Sequence, residues 1–170
     1  MNPSVPDQHR ESSAAQVPCA VITVSDTRTR ETDVGGKKIV ELLSEHQHMV
    51  VERVLLPDEP TPIRTTVMEF ANRRDIHAIL LTGGTGISSR DQTCETISQL
   101  LDKPLPGYGE LFRLLSYQEI GAAAMLSRAT GGVVSQTVLL TMPGSPAAVE
   151  LAMQKLILPE LAHLVAQARK

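Results

Sequence analysis

Residues 78–91 read A-I-L-L-T-G-G-T-G-I-S-S-R-D, and this stretch decides how the rest of the chain is interpreted. The apolar run 78–81 stops at Thr82. Gly83, Gly84, Thr85 and Gly86 follow, then Arg90, Asp91 and Thr93, where a helical pattern begins. Strand, glycine loop and helix start, in that order, are the layout by which an α/β protein holds an anion. Glycine lets backbone N–H groups approach a ligand closely, and a helix N-terminus carries partial positive charge.

Working outward, residues 19–24 (C-A-V-I-T-V) form a buried strand that runs into Ser25-Asp26-Thr27-Arg28. Those polar residues either line a ligand site at the strand end or turn the chain and cap a helix. Residues 33–46 carry Ile39, Leu42, Leu43 and His46 on one helical face, with Gly35 and Gly36 near the start. Residues 50–56 are a second strand, stopped by Pro57-Asp58-Glu59-Pro60; Thr61 is the expected helix cap, with Pro62 at the first helical position. Beyond the glycine loop, Thr93 is the expected cap of a helix that turns Ile97, Leu100 and Leu101 inward. Residues 104–109 should interrupt the helical pattern and residues 110–116 resume it. Residues 120–129 should form a tightly packed alanine-rich helix, followed by Gly131-Gly132. Residues 137–142 (T-V-L-L-T-M) are another buried strand. It ends at Pro143-Gly144-Ser145-Pro146, where Ser145 can cap a helix that Pro159 restarts or kinks.

Apolar strands alternating with helical patterns predict an α/β fold: three α/β/α layers around a mainly parallel central sheet. Right-handed crossovers then gather the strand C-termini along one edge. Ser25-Asp26, Asp58-Glu59, the glycine loop and Gly144-Ser145 all follow such ends, so they converge on one phosphate-compatible site. Residues 19–170 read as a single domain. Residues 1–18, rich in Pro, Ser, Gln and charge, read as a flexible tail or as an arm that docks on a neighbouring subunit.

A formal charge of −3 gives no general attraction to nucleic acid or anionic membrane, and 2% aromatic residues leave no stacking platform for single strands. No apolar run approaches the ~20 residues of a membrane span. Two cysteines without metal-like spacing and the lack of a secretory apolar segment point to the cytoplasm.

Two phosphate motifs are excluded. Gly86 is followed by Ile87-Ser88-Ser89 rather than the Lys-Ser or Lys-Thr of a Walker loop, and the third glycine of a dinucleotide fingerprint is missing. No serine sits in a nucleophile elbow. What remains is backbone N–H groups, the cations Arg28, Arg90 and Arg128, and the acids Asp26, Asp58, Glu59 and Asp91. Carboxylates beside phosphate call for an intervening cation. Mg²⁺ held by one or two carboxylates plus substrate phosphates meets that need, and nucleotidyl transfer is then a natural reaction class.

Five spaced motifs carry a family resemblance: Val24-Ser25-Asp26-Thr27-Arg28, Thr82–Gly86 with Arg90-Asp91-x-Thr93, Phe112-Arg113-x-x-Ser116 with Glu119-Ile120-Gly121, Ser127-Arg128, and Pro143–Pro146. Over residues 18–159 the chain resembles the MoaB/MogA family of molybdenum-cofactor biosynthesis proteins. Glu119-Ile120-Gly121 points to the MoaB branch. The resemblance implies a molybdopterin-binding fold, a homotrimer or a hexamer of two trimers, and association with other proteins of the pathway. It implies Mg²⁺-dependent adenylylation of the terminal phosphate of molybdopterin, with ATP as co-substrate and pyrophosphate as product. The alternative is a carrier or assembly protein on the same scaffold that binds molybdopterin without catalysis. By the same resemblance, Asp58 and Asp91 are the catalytic acids and Mg²⁺ ligands. Substrate binding falls to Thr82, Gly83, Gly84, Thr85, Gly86, Arg90 and Thr93 around the loop, and to Ser25, Asp26, Ser127, Arg128, Pro143, Gly144 and Ser145 on the pterin side. The chain departs from the family at Gly35, where Ser is usual, at Cys94, where many members have Pro, and at Gln47, a common glycine position, which suggests a differently shaped turn.

Overall fold

A computed structural model describes residues 16–170. Among them, six strands form one sheet in the order β2-β1-β3-β6-β5-β4. Four adjacent strands, β2 (Met49–Leu56) at one edge followed by β1 (Pro18–Val24), β3 (Ala78–Thr82) and β6 (Thr137–Met142), are mutually parallel. β5 (Gly131–Val134) and β4 (Lys103–Pro104) extend the sheet antiparallel at one edge. Every residue of β1, β3 and β6 is buried, which explains why these strands read as continuous apolar runs instead of alternating.

Side chains of one strand still part to opposite faces with period two. Cys19, Val21, Leu80 and Leu140 pack beneath α1 (Val34–Glu45), α4 (Pro106–Ile120), α5 (Pro146–Ala152) and α6 (Leu158–Ala168). Ala20, Ile22, Ile79 and Leu81 pack against α2 (Pro60–Ala71) and α3 (Thr93–Ser98) on the other face. These are the three expected layers. The chain leaves β1 for β2 on one side and returns to β3 on the other. The crevice between the C-terminal ends of β1 and β3 is therefore the switch point at which open α/β sheets bind ligands.

Several local expectations are corrected. The domain begins before Cys19: Val17 is buried, its carbonyl accepts the Met49 N–H at 3.0 Å, and Pro18 opens β1. The rest of the expected tail, residues 1–15, lies outside the described residues. α2 starts at Pro60 with Glu59 in the cap position, two residues earlier than a Thr61 cap allows. Thr93 is the first residue of α3 and not its cap.

The interruption expected at 104–109 ends at Leu105. Pro106 supplies the fixed φ of a first helical turn, and Gly109 is tolerated because a Cβ there would stand 2.4 Å from the Ala129 carbonyl oxygen. The alanine-rich helix is a 3₁₀ turn (Gly121–Leu126). Gly121, at φ +64°, stops α4, and only Ala124 of this turn is buried, so it is not tightly packed. Gly131 and Gly132 belong to a strand. The absence of a Cβ at Gly132 lets β4 pass close by, since one would lie 2.2 Å from the Lys103 carbonyl oxygen.

Gln47 has φ +62° and is the left-handed residue of a Schellman end to α1: its N–H bonds Ser44 O at 3.0 Å, and the His48 N–H bonds Leu43 O at 2.9 Å. The turn therefore has the shape glycine would give it, made by a residue with a Cβ. At Pro159 the helix restarts through a π turn, Met153–Ile157, which opens space for the proline ring against the preceding turn.

Candidate functional site

The glycine loop leaves β3 at the switch point with Gly83 at φ +100° and Gly84 at φ +63°, the left-handed region that glycine enters without penalty. Contact requires glycine here as strongly as conformation does. A Cβ on Gly83 would lie 2.1 Å from the Val24 carbonyl oxygen, and one on Gly84 2.0 Å from Thr93 Oγ1 and 2.6 Å from Asp58 Oδ2. A Cβ on Gly86 would lie 2.8 Å from Asp91 Oδ2. The loop backbone thus rests directly against both predicted acids.

Two cavities meet over this loop. One, of about 400 Å³, is bordered by Gly83–Gly86, Asp91, Ser127, Gly144 and Ser145. The other, of about 410 Å³, is bordered by Ser25, Arg28, Asp33 and Thr82 and shares Gly83, Gly144 and Ser145 with the first. Two cavities with a common wall of backbone at strand ends suit two phosphate-bearing ligands placed end to end.

The acids are held differently. Asp58 is buried, and its Oδ1 accepts the Gln92 N–H and the Thr93 hydroxyl, each at 3.1 Å. Burial pushes its pKa up; the two hydrogen bonds oppose that, and the nearby Asp91 and Asp26 carboxylates reinforce it. Asp91 stands on the loop, with Oδ2 accepting the Ser88 N–H at 2.8 Å and its own N–H donating to Ser88 O at 3.0 Å. Asp26 ties three loops together. Its Oδ2 accepts Arg90 Nη2 at 2.7 Å and its Oδ1 accepts the Asp58 N–H at 3.0 Å, and these bonds, Arg90 first, hold its pKa below the usual carboxylate range.

Other expected residues divide between the cavity walls and the framework. Ser25 turns the chain, its Oγ accepting the N–H groups of Thr27 at 3.2 Å and Arg28 at 3.1 Å, and it also borders a cavity, so both readings of that segment hold. The Thr82 hydroxyl donates to the Pro143 carbonyl at 3.0 Å and fixes the Pro143–Pro146 turn to β3. Ser145 caps α5 by accepting the Ala148 N–H at 3.3 Å. Thr93 is fully buried and orients Asp58 from below. Arg128 turns away from the cradle into a neighbouring cavity of about 640 Å³, where it pairs with Glu95.

Sequence reasoning left the contacts of two groups unread. Glu95 was legible only as an acid in a helix's first turn. Asp33 is more than the edge of a helix: it caps α1 by accepting the Gly36 N–H at 2.9 Å and also accepts the Thr23 hydroxyl at 2.7 Å and Arg53 Nη2 at 2.9 Å. Burial works against the Asp33 carboxylate, but these three bonds outweigh it and lower its pKa.

Among the described residues, no group of three or more His, Cys, Asp or Glu side chains is placed to hold a metal ion. Asp58 and Asp91, both against the glycine loop, fit the looser pattern in which one or two carboxylates share a hard cation with substrate phosphates.

Comparison with known proteins shows the family and the fold. A family described as a probable molybdopterin binding domain matches residues 20–163. The molybdenum cofactor biosynthesis protein B of Bacillus subtilis is 48% identical over 164 residues, covering 96% of each chain. A crystal structure of a molybdenum cofactor biosynthesis protein B superposes with a TM-score of 0.89 at 47% identity, over 91% of this chain and 97% of that one. The tungsten cofactor synthesizing protein MoaB of Pyrococcus furiosus superposes with a TM-score of 0.81 at 35% identity, over 91% of this chain and 98% of that one.

Proposed function

The chain belongs to the molybdopterin-binding domain family of molybdenum-cofactor biosynthesis proteins, and from that premise we propose that it adenylylates the terminal phosphate of molybdopterin with ATP. One observation carries the proposal: two carboxylates stand against the glycine cradle at which two cavities meet, Asp91 in the wall of one cavity and Asp58 behind Gly84. A site that only stores a phosphorylated ligand gains nothing from carboxylates beside the phosphate, since like charges repel.

In the reaction an oxygen of the molybdopterin phosphate attacks the α-phosphorus of ATP. A new phosphoanhydride bond forms as the bond from the α-phosphorus to its bridging oxygen breaks, and pyrophosphate leaves with that oxygen. No net proton transfer is needed. The loop N–H groups of Gly83–Gly86 bind phosphate oxygens, and the Ser145 and Gly144 end of α5 orients the second ligand. Asp58 and Asp91 would hold Mg²⁺, which when bound supplies charge neutralisation at the transferring phosphoryl group. Thr93 and the Gln92 N–H keep the Asp58 oxygens aimed at the loop.

The test is pyrophosphate release from molybdopterin and ATP in the presence of Mg²⁺. Normal pterin binding without pyrophosphate release would replace the enzyme with the carrier reading.

The apolar side chains Leu111, Leu114, Tyr117, Ile120, Met125 and Leu126 stand exposed on α4 and the 3₁₀ turn. Such a concentration suits burial against other copies of the chain, so the homotrimer or hexamer belongs to the same proposal, with light scattering as its test. No helix among the described residues is long and apolar enough to cross a membrane. A cytoplasmic site of action is part of the proposal, to be checked by fractionation.

A further inference from the structure

Arg128 belongs to the family motif Ser127-Arg128, yet its guanidinium faces away from the glycine cradle. Its contacts explain why. The Arg128 N–H donates to Thr85 O at 3.3 Å and its Nη2 donates to Asp91 O at 3.1 Å. These two carbonyls are the feet of loop 86–90, the segment that carries Ile87, Ser88, Ser89 and Arg90. Arg128 O accepts the Cys94 Sγ–H at 3.0 Å, so the same residue is also fastened to the first turn of α3. The other guanidinium nitrogen, Nη1, is paired with the Glu95 carboxylate. Nε is buried without a hydrogen-bond partner. Leaving a buried donor unpaired is costly. The guanidinium therefore stands where Glu95 and Asp91 O hold it, and not where its own hydrogen bonding would be complete.

We infer that Glu95 is a positioning residue for Asp91: by holding the Arg128 guanidinium against Asp91 O it pins the C-terminal foot of loop 86–90, the Arg128 backbone holding the other, and so sets where the Asp91 carboxylate stands beside the cradle. This rests on the adenylyltransferase reading for its effect on rate, but not for its effect on the loop. The Asp91 side chain has a bond inside the loop, to the Ser88 N–H, so it moves with the loop backbone. Asp58 is not held by the Arg128 guanidinium: its partners are the Gln92 N–H and the Thr93 hydroxyl, and Arg128 reaches that end of α3 through its carbonyl, which Glu95 does not hold. The inference therefore separates the two acids: loosening the clamp displaces one and leaves the other.

Glu95→Gln removes the charge and keeps the shape. Amide hydrogen exchange should speed up about tenfold at residues 86–91 while that of β1 and β3 is unchanged, the second half reporting that the fold is intact. The turnover number should fall about 10- to 100-fold, as expected for misplacement of a catalytic group by a fraction of an ångström, with the KM for molybdopterin unchanged within about twofold. Arg128→Lys, which keeps the charge and loses the fork, should fall between wild type and Glu95→Gln in both measurements.

Unchanged exchange at residues 86–91 in both variants overturns the inference, as does a loss that falls entirely on KM. If the wild-type protein releases no pyrophosphate, the adenylyltransferase reading fails. The exchange measurement still decides the clamp, because it needs no turnover.

Discussion

The loop after β2 and the loop after β3 each deliver one acid to the same cradle, by opposite means. Asp58 is buried, accepts a backbone N–H and a hydroxyl from the start of α3, and is placed by the packing of the sheet. Asp91 stands on a glycine-rich loop and owes its position to a bond within that loop and to the Arg128 contact at its carbonyl. The first acid is a product of the core; the second is a product of tethers. One site can therefore combine a fixed group with an adjustable one, and damage to each should look different in kinetics and in stability.

The largest test removes the acids themselves. Asp91→Asn should lower pyrophosphate release by at least about 100-fold while leaving molybdopterin affinity within a few-fold, because it deletes transition-state stabilisation and little ground-state contact. Asp58→Asn should cost as much activity but, unlike Asp91→Asn, should raise stability at neutral pH. A buried carboxylate whose pKa is raised by folding disfavours the folded state once ionised, and its replacement by a neutral amide removes that penalty. Equal thermal shifts for the two variants would break the contrast.

A smaller effect tests Asp58 by pH. Burial raises the pKa of Asp58 in the metal-free protein, so at limiting Mg²⁺ activity should be lost along the acid limb of the rate profile as the carboxyl protonates in competition with the cation. Thr93→Val removes a hydrogen bond that favours the ionised form. It should move this limb further up and lower neutral-pH activity by about tenfold, on the order of the worth of a hydrogen bond to a charged group. A limb that stays in place would show that Thr93 only fills space.

Asp33 supplies the opposite sign on the framework side of the site. Its folded pKa is lowered, so its contribution to stability is present above the unfolded carboxylate value and is lost as pH falls through the folded one. Asp33→Asn should therefore destabilise by about 1–3 kcal/mol near neutrality, the usual worth of hydrogen bonds to a charged group. The loss should shrink toward zero in acid, as chemical denaturation at several pH values would record.

The smallest prediction serves as a control at the far end of the sheet. Gln47→Gly relieves the left-handed strain of one residue and should stabilise by about 1 kcal/mol without altering pyrophosphate release.

The parallel half of the fold was legible because strands buried on both faces must be apolar along their whole length. Residues 19–24, 78–82 and 137–142 announce themselves in that way. The antiparallel edge was not. β4 has two residues, both exposed, and β5 opens with two glycines whose role is to let neighbouring backbone pass. Neither carries a pattern. The alanine run at 122–124 has high helix propensity, yet Gly121 ends the helix before it and little apolar surface is available to hold a new one in place.

For the site, the glycine loop, Asp58, Asp91 and the Pro143–Pro146 turn could be named from the chain alone, because local sequence makes strand ends, tight turns and helix caps. Their division of labour could not. That Thr93 lies under Asp58, that Asp26 joins Arg90 to the Asp58 backbone, and that Arg128 faces Glu95 instead of the cradle are contacts between residues 32 to 64 positions apart. Sequence determines which side chains reach the switch point, since backbone periodicity is local. Only the packed sheet decides which of them face the ligand and which hold the others in place, because burial and hydrogen bonding at that range exist only once the layers have closed.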